Sequence, residues 1–594
     1  MAKKNTKQKK RFNFNKKLQS WRKKCDKIGQ SLVKNINSLL LLRWNRLKFV
    51  RSGIVIWLVI ALSLMLAGWH EITKFNNTLK NSRPVSSGVY TEGVVDKVTT
   101  INPLYAYTDS EKAASSLVFS GLMEYDNTGN IRGRLIKTWN HDTTGKNWSF
   151  KLNDNLKWSD GQNLTADDVK WTIDLIKNEK IKSPLFNDWK DVSIEAKGNK
   201  DIIFKLKEPY VYFPSSLTFG ILPKHYFKNK DINQINSLFK YNLEDIPHSG
   251  PFAFAKKEES PTKTTWRFNS QPINNKSKAK NRQIILKAYA SKDDLSKAMK
   301  SSEIGVAVNV GIDDIDNLQQ SIRKLKLIKA RSTDGVFAIF NNESSIGSDD
   351  TIRQALRLGL NRNEITRKLN VPKLDSPISR DIYKSIDDLD QPIYNLEEAN
   401  RLLDQSGYKK INQSPYRQKN GAKLAIEMVS VKNSNYEQTA KLIAKQWGKL
   451  GVEVSLKLVN AGDIQQKYII PRKYDVLVYQ LHLGSNPDQS AYWSSSAIES
   501  GLNFANYKSR HADLALMAGR SNPDERMREA RYLSFSKRWI DDNPAIALYQ
   551  PYIYCLVNPN FSSYETDQKI NGLENRFYNA INWSAKTKKR LTTP

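Results

Sequence analysis

Residues 147–171 read NWSFKLNDNLKWSDGQNLTADDVKW, and their pattern sets the fold class. Trp148, Phe150 and Leu152 alternate with polar residues, which describes a strand with one buried, aromatic face. Leu156 and Trp158 resume the alternation after the turn residues Asn153-Asp154-Asn155, so the stretch predicts a β-hairpin. A second turn, SDGQ, follows. Thr165 with Asp168 three residues later is then a capping box that opens a helix through about Lys177.

Outward from this stretch, strands and helices keep alternating. IIFKLKEP is a strand closed by a proline, and 276–280 a polar loop. Residues 333–340 form a strand, followed by helices over 350–360 and over 397–405, the second stopped by Gly407. A helix over 436–449, a stop at Gly451, and the strands VEVSLKLV and YDVLVYQL continue the pattern. Mixed elements over 594 residues, 39% of them apolar, predict an α/β chain of several lobes without internal repeats.

Charge is distributed unevenly. The net charge is +34, and residues 1–52 contribute +16 of it, from 17 Lys and Arg against the single acid Asp26. The run GIVIWLVIALSLMLAGW, 53–69, carries no ionisable side chain and spans about 25 Å as a helix. A basic flank on one side only is the positive-inside pattern, and Trp57 and Trp69 suit the two interfaces. A buried core helix and a cleaved signal peptide are the alternatives. The fifty-residue basic leader is long for a signal peptide, and no A-x-A site follows. The expectation is one transmembrane helix with a cytoplasmic N-terminus, the folded part lying outside the cytoplasm. The basic leader would then meet acidic lipid headgroups rather than nucleic acid. Cys25 and Cys555 fall on opposite sides of the membrane, so no internal disulfide joins them, and Cys555 reads as a small buried apolar residue.

Catalytic and metal motifs are missing. The six histidines are scattered, and there is no HExxH, GxSxG, GxxxxGK or GxGxxG. Asp167/Asp168, Asp349/Asp350 and Asp541/Asp542 are adjacent pairs, which suit helix-start charge and solvated faces better than a cleft with carboxylates on opposite walls. SDGQNLTADD lacks the spaced oxygen ligands of an EF-hand and is a turn plus cap.

From Thr99 to Trp171, TTINPLYAYTDSEKAASSLVFSGLMEYDNTGNIRGRLIKTWNHDTTGKNWSFKLNDNLKWSDGQNLTADDVKW resembles family 5 extracellular solute-binding proteins, the oligopeptide- and dipeptide-binding components of ABC importers. ILPKHYF, IPHSGPFAF, FAIFNNESSIGSDDTIRQALRLGLNRNEI, NLEEANRLLDQSGY, AKQWGKLGVEVSLKLV, KYDVLVYQL and DDNPAIALYQP are similar to later family blocks, in order. The resemblance implies a two-lobed, hinged, periplasmic-binding-protein-like fold with an extra subdomain. It implies lobe I over 89–335 with an insertion at about 120–190, lobe II over 336–545, and a return to lobe I with a basic tail over 546–594, after a stalk at 70–88. It implies a non-catalytic protein without cofactor or metal, a monomeric outer domain, a peptide ligand, and an ABC permease with its ATPase as partners. A membrane-tethered sensor or chaperone, or a binder of a non-peptide solute, is the alternative.

By position in the family pattern, the ligand-binding candidates are Ala106, Tyr107 and Thr108 on one side, Leu481, His482 and Leu483 on the other, and Phe252 at the place of a cleft tyrosine. The family's peptide binders carry an Asp after this strand for the ligand's α-ammonium. Here Ser485, Asn486 and a displaced Asp488 are the candidates. The family's Asn-Pro-x-Tyr-Trp block is replaced by WRFNSQPINNKSKAKN, and the lipobox position reads Leu66-Ala67-Gly68-Trp69, without the cysteine that lipidation needs.

Overall fold

A computed structural model describes residues 51–78, 82–84, 88–126, 128–271, 279–411, 414–432, 436–558, 572–585 and 587–589. The basic leader with Cys25, most of the 276–280 loop, and the basic tail beyond 589 lie outside the described residues. The chain divides into two units, one of residues 1–83 with 588–594, the other of residues 84–587.

In the first unit, Arg51–Thr78 is a single helix of 28 residues. It runs past the expected end of the span at Trp69 and takes in half of the expected stalk, since residues 70–78 contain neither Pro nor Gly. Among the described residues no helix is long and apolar enough to cross a membrane. The continuous run of described side chains, 55–71, covers about 25 Å at helical rise, less than a hydrocarbon core of about 30 Å.

The second unit is built on three sheets. Seven strands form the first, in the order Lys326–Arg331, Tyr552–Val557, Val306–Val308, Gly88–Val95, Asn281–Tyr289, Lys263–Ser270, Phe252–Glu259. Five form the second: Glu453–Val459, Ala425–Val431, Val476–His482, Asp334–Phe340, Ala545–Tyr549. The central strands are nearly continuous runs of apolar residues, as sheets covered on both faces require. Asp334–Phe340, for example, is buried at every position after Asp334. The first sheet organises lobe I and the second lobe II, each with its own hydrophobic core.

The chain crosses between the lobes at Ser332–Thr333 and again at Gln550–Pro551. Buried Gln550 holds both crossings together. Its Nε2 donates to the Ser332 carbonyl and to Ser379 Oγ (3.0 Å), its Oε1 accepts from the Arg380 amide (3.0 Å), and the Ser332 amide donates to the Pro551 carbonyl (3.0 Å). Two short crossings side by side make a hinge geometry.

The opening stretch folds differently from the expected hairpin. Asn147–Leu152 pairs with Ile136–His141 before it and Asp201–Lys205 after it, in the third sheet. The turn is 142–146, where Gly145 sits at φ +69 and the Asp142 carboxylate accepts from Thr144 and Asn147. Residues 153–158 leave the sheet, with Asn155 at φ 58. The expected aromatic face is present all the same: Trp148, Phe150, Leu152 and Trp158 are all buried. Phe150, Phe204 and Phe213 meet there in edge-to-face contacts of 5.0–6.2 Å. The capped helix runs Ala166–Ile176, with Asp168 Oδ2 accepting from the Thr165 amide at 2.8 Å. Asp349 caps its own helix, while Asp541 and Asp542 end one instead of starting it. Cys555 is buried in the first sheet, its thiol pushed up to about 12 by burial and then by the charge of Glu92.

Candidate functional site

A cavity of about 1100 Å³ opens between the lobes beside the hinge. Lobe I lines it with Tyr125, Tyr212, Ser215 and Lys329; lobe II with Arg380, Tyr383, Ser485, Asn486 and Arg528, and Gln550 sits at the crossing. Its wall is more polar than apolar, with serine, asparagine, lysine and arginine side chains set among tyrosine rings, so a ligand there meets many hydrogen-bonding groups. Asn486 Nδ2 reaches Ser215 Oγ at 3.5 Å, a direct polar contact from one lobe to the other. Tyr212 and Tyr383 have their hydroxyls beside Arg528, and Lys329 lies 3.9 Å over the Tyr552 ring.

The strand Val476–His482 supplies the second feature. Its pairing with Asp334–Phe340 runs its full length, but its pairing with Ala425–Val431 covers only Val476, Leu477 and Val478. Past Val478 that edge has no strand partner among the described residues, although the His482 carbonyl accepts from Tyr492 Oη at 3.0 Å and the Leu483 carbonyl from Gln489 Nε2 at 2.8 Å. An extended chain can pair with such an edge through main-chain hydrogen bonds.

His482 stands directly across from Asp334 in the register, with Nδ1 2.8 Å from Asp334 Oδ1. Its side chain is 49% exposed. Burial alone would lower its pKa; the hydrogen bond and charge of Asp334, then the charges of Glu574 and Asp109, raise it to about 9.

The ten sequence candidates separate sharply. Ser485 and Asn486 line the cavity, and Tyr107 and His482 are exposed, Tyr107 by 73%. Ala106 and Thr108 lie in the turn that leads into the helix Asp109–Val118, where Thr108 is the N-cap: its Oγ accepts from the Glu111 amide at 3.2 Å and Glu111 Oε2 accepts back from the Thr108 amide at 3.3 Å. Thr108→Ala is expected to cost about 1 kcal/mol, measurable by urea denaturation. Phe252 is a correction to the expected ligand set, since its side chain is 0% exposed and belongs to the lobe I core, whereas Leu481 and Leu483, whose side chains are 2% and 3% exposed in the lobe II core, can meet a ligand only through their main chain. Their apolar character placed them in a strand, and the strand face then turned them inward. Asp488 is also committed elsewhere. It accepts from the Ser490 amide (3.1 Å) and hydroxyl (2.5 Å) and lies 3.5 Å from Arg520 Nε.

Sequence reasoning missed Tyr125, Tyr212, Lys329, Arg380, Tyr383 and Arg528, which come from five separate segments and share no local motif. Asp334 was legible in principle, as an acid at the start of a strand whose register partner is a histidine.

Two lobes on separate sheets, two adjacent crossings and a cavity between them define a hinged binding protein of the periplasmic-binding-protein class. The sequence matches the family "Bacterial extracellular solute-binding proteins, family 5 Middle" over residues 130–501, more than half of the chain. The chain belongs to this family, and is a solute-binding protein rather than an enzyme. It is 24% identical over 542 residues to the oligopeptide-binding protein AppA of Bacillus subtilis, covering 88% of this chain and 97% of the relative. It is 22% identical over 496 residues to the nickel-binding periplasmic protein of Escherichia coli, covering 77% and 89%. Among solved structures, AppA of Bacillus subtilis in complex with a nonapeptide aligns with a TM-score of 0.70 at 23% identity, covering 85% of this chain and 100% of that one. CtaP of Listeria monocytogenes, an ABC transporter substrate-binding protein, aligns with a TM-score of 0.72 at 20% identity, covering 84% and 99%.

Proposed function

We propose that this protein captures peptides in the interlobe cleft and delivers them to an ABC permease and its ATPase, held at the membrane by its N-terminal helix. The observation that carries the ligand class is the edge of Val476–His482, which past Val478 has no strand partner among the described residues, next to a cavity of about 1100 Å³. A peptide presents backbone donors and acceptors along its length, and an open strand edge matches them without reading side chains. Hinge closure around it would exclude water, and each of those hydrogen bonds would then count for more.

The tether rests on the Arg51–Thr78 helix. Its large apolar side chains from Val55 to Trp69 are 41–72% exposed among the described residues. With Trp69 at the place of the lipobox cysteine, this helix would replace a lipid anchor. The full 28 residues extend about 42 Å at helical rise, of which the apolar run is the part that would sit in lipid. N-terminal mapping of the protein from membranes should find the segment retained; a mature chain beginning after Gly68 removes the tether and leaves the binding function standing.

Mass spectrometry of ligand released from the purified full-length protein should show a ladder of short peptides. A single non-peptide solute would sink the peptide reading. His482→Ala is expected to weaken peptide binding about tenfold, roughly the value of one charge-assisted hydrogen bond, while thermal unfolding shifts little. Unchanged affinity removes His482 from the site.

A further inference from the structure

Besides the two chain crossings, residues 210–215 of lobe I reach into lobe II. Phe213–Leu217 is a short 3-10 turn with Pro214 in its first positions and Tyr212 at its N-cap. Neighbouring side chains on such a turn point about 120° apart, so Tyr212 and Phe213 face different ways. Phe213 is buried in the lobe I core, its ring 5.0 Å from Phe204 and 5.8 Å from Trp189. Tyr212 instead packs against the lobe II core, 6.4 Å from the ring of Tyr532, which stacks in turn on Tyr383 at 6.4 Å. Arg528, whose Nη1 donates to the Pro523 carbonyl at 2.7 Å, stands 5.7 Å from the centre of the Tyr212 ring.

A second set of contacts lies at the end of the helix Arg510–Ser521. The last carbonyls of a helix have no partner within it. Here the Val211 amide donates to the Arg520 carbonyl at 2.9 Å, a main-chain hydrogen bond from lobe to lobe. The Arg520 guanidinium stands 4.7 Å from the centre of the Tyr210 ring, and its Nε lies 3.5 Å from the buried Asp488 carboxylate, which fixes it from the lobe II side. Gly519 makes the close packing beneath possible, because a Cβ there would stand 2.8 Å from the fully buried Tyr532 ring. The contact from Asn486 Nδ2 to Ser215 Oγ adds a third point. Tyr212, Ser215 and Arg528 line the cavity, whereas Tyr210, Gly519 and Arg520 are not among the residues that line it.

We propose that residues 210–215 form an interlobe latch, in which Tyr210 and Arg520 hold the two lobes together and so set how long a ligand stays, without touching it. The hinge at Ser332–Thr333 and Gln550–Pro551 lets the lobes rotate; the latch supplies contacts that opening has to break. A cation beside a tyrosine ring and one main-chain hydrogen bond are each weak enough to part, as a reversible device requires. Every partner belongs to the chain itself, so the latch favours closure to the same extent whatever solute the cavity takes. Apparent affinity falls in proportion to the closed fraction. Since the latch must part before an enclosed ligand leaves, the effect appears in release more than in capture. This inference rests on the reading of the cleft as the ligand site and adds the control of residence there.

The test uses full-length protein in detergent, with Cys25→Ser, spin-labelled at Ser193→Cys in lobe I and Lys445→Cys in lobe II, both exposed positions, while the buried Cys555 stays unlabelled. Pulsed electron paramagnetic resonance reads the distances between the lobes without peptide, and mass spectrometry after dilution times the release of a pool of synthetic nonapeptides. Arg520→Met removes the cation and keeps the bulk; Tyr210→Leu removes the ring. Each should shift the distances toward longer values and speed release about tenfold, while association changes less than about twofold. Arg520→Lys returns a cation to the ring and should restore most of both readings. The double variant should be little worse than either single one, because both break the same contact. Unchanged distances in both single variants, unchanged release, or an Arg520→Lys protein no better than Arg520→Met overturns the latch. If the distances shift as expected while no nonapeptide binds the wild type, the latch is supported and the peptide reading of the cleft is what falls.

Discussion

Replacing Arg576 by methionine is expected to destabilise lobe I by about 3–5 kcal/mol, the cost of leaving one member of a buried ion pair without its partner. Arg576 and Glu92 are both fully buried side chains, joined at 2.8 Å. Glu92 sits in the middle of the Gly88–Val95 strand, inside the seven-stranded sheet, where its second oxygen accepts the Tyr90 hydroxyl at 2.9 Å. Without the guanidinium that carboxylate must take up a proton or draw in water. The same substitution removes the bond from Arg576 to the Leu573 carbonyl, which shapes the turn presenting Glu574. Urea denaturation followed by tryptophan fluorescence should show the loss, and hydrogen exchange over 572–585 should rise. Packing offers a control. Glu92→Met with Arg576→Met fills the same space without a buried charge and should recover most of the stability while still loosening Glu574. A single variant that costs under about 1 kcal/mol, or a double variant no better than the single, would show that the pair does not clamp the segment.

The fold was legible where local pattern and burial coincide. Alternation placed the strands at Val476–His482, Asp334–Phe340 and Glu453–Val459, and the Thr165/Asp168 box and Gly451 marked a helix start and a helix stop that the structure contains. It failed where the partner of a segment decides its state. Leu156 and Trp158 have the alternation of a strand, but the turn at 142–146 sends Asn147–Leu152 to an earlier partner and leaves 153–158 outside the sheet. The site was less legible for the same reason. Apolar residues beside His482 enter the ligand set for main-chain pairing with a ligand, and in a sheet covered on both faces the side chains of Leu481 and Leu483 belong to the core. The residues that line the cavity, from Tyr125 to Tyr552, come from distant parts of the sequence and meet only through the fold. Ser485 and Asn486, selected by their place in the family pattern after the strand, are among the residues that line the cavity.

In Asp334→Asn the pKa of His482 is expected to fall from about 9 to about 7 or below. Burial pulls the imidazole toward its neutral form, and it is the carboxylate of Asp334, through a hydrogen bond and a full charge, that reverses this; Glu574 and Asp109 add to it from lobe I. An amide keeps the shape and removes the charge. The sign of the stability effect follows from where the proton is held. A folded-state pKa above the unfolded value of about 6.5 means that the native protein binds the proton more tightly. His482 therefore contributes stability that is fully present below about pH 6.5 and is lost as the pH rises through about 9. Glu574, whose pKa is also raised, adds a loss in the same direction that begins lower, as the pH passes the ordinary carboxylate range. Wild-type unfolding midpoints should accordingly decline from pH 5 to pH 9. Asp334→Asn should flatten the upper part of that decline and Glu574→Gln the lower part. Carbon-13 labelling at histidine Cε1, with His482→Ala to assign the resonance, reads the titration directly. If His482 in the wild type titrates near 6.5, its ring is not held by Asp334.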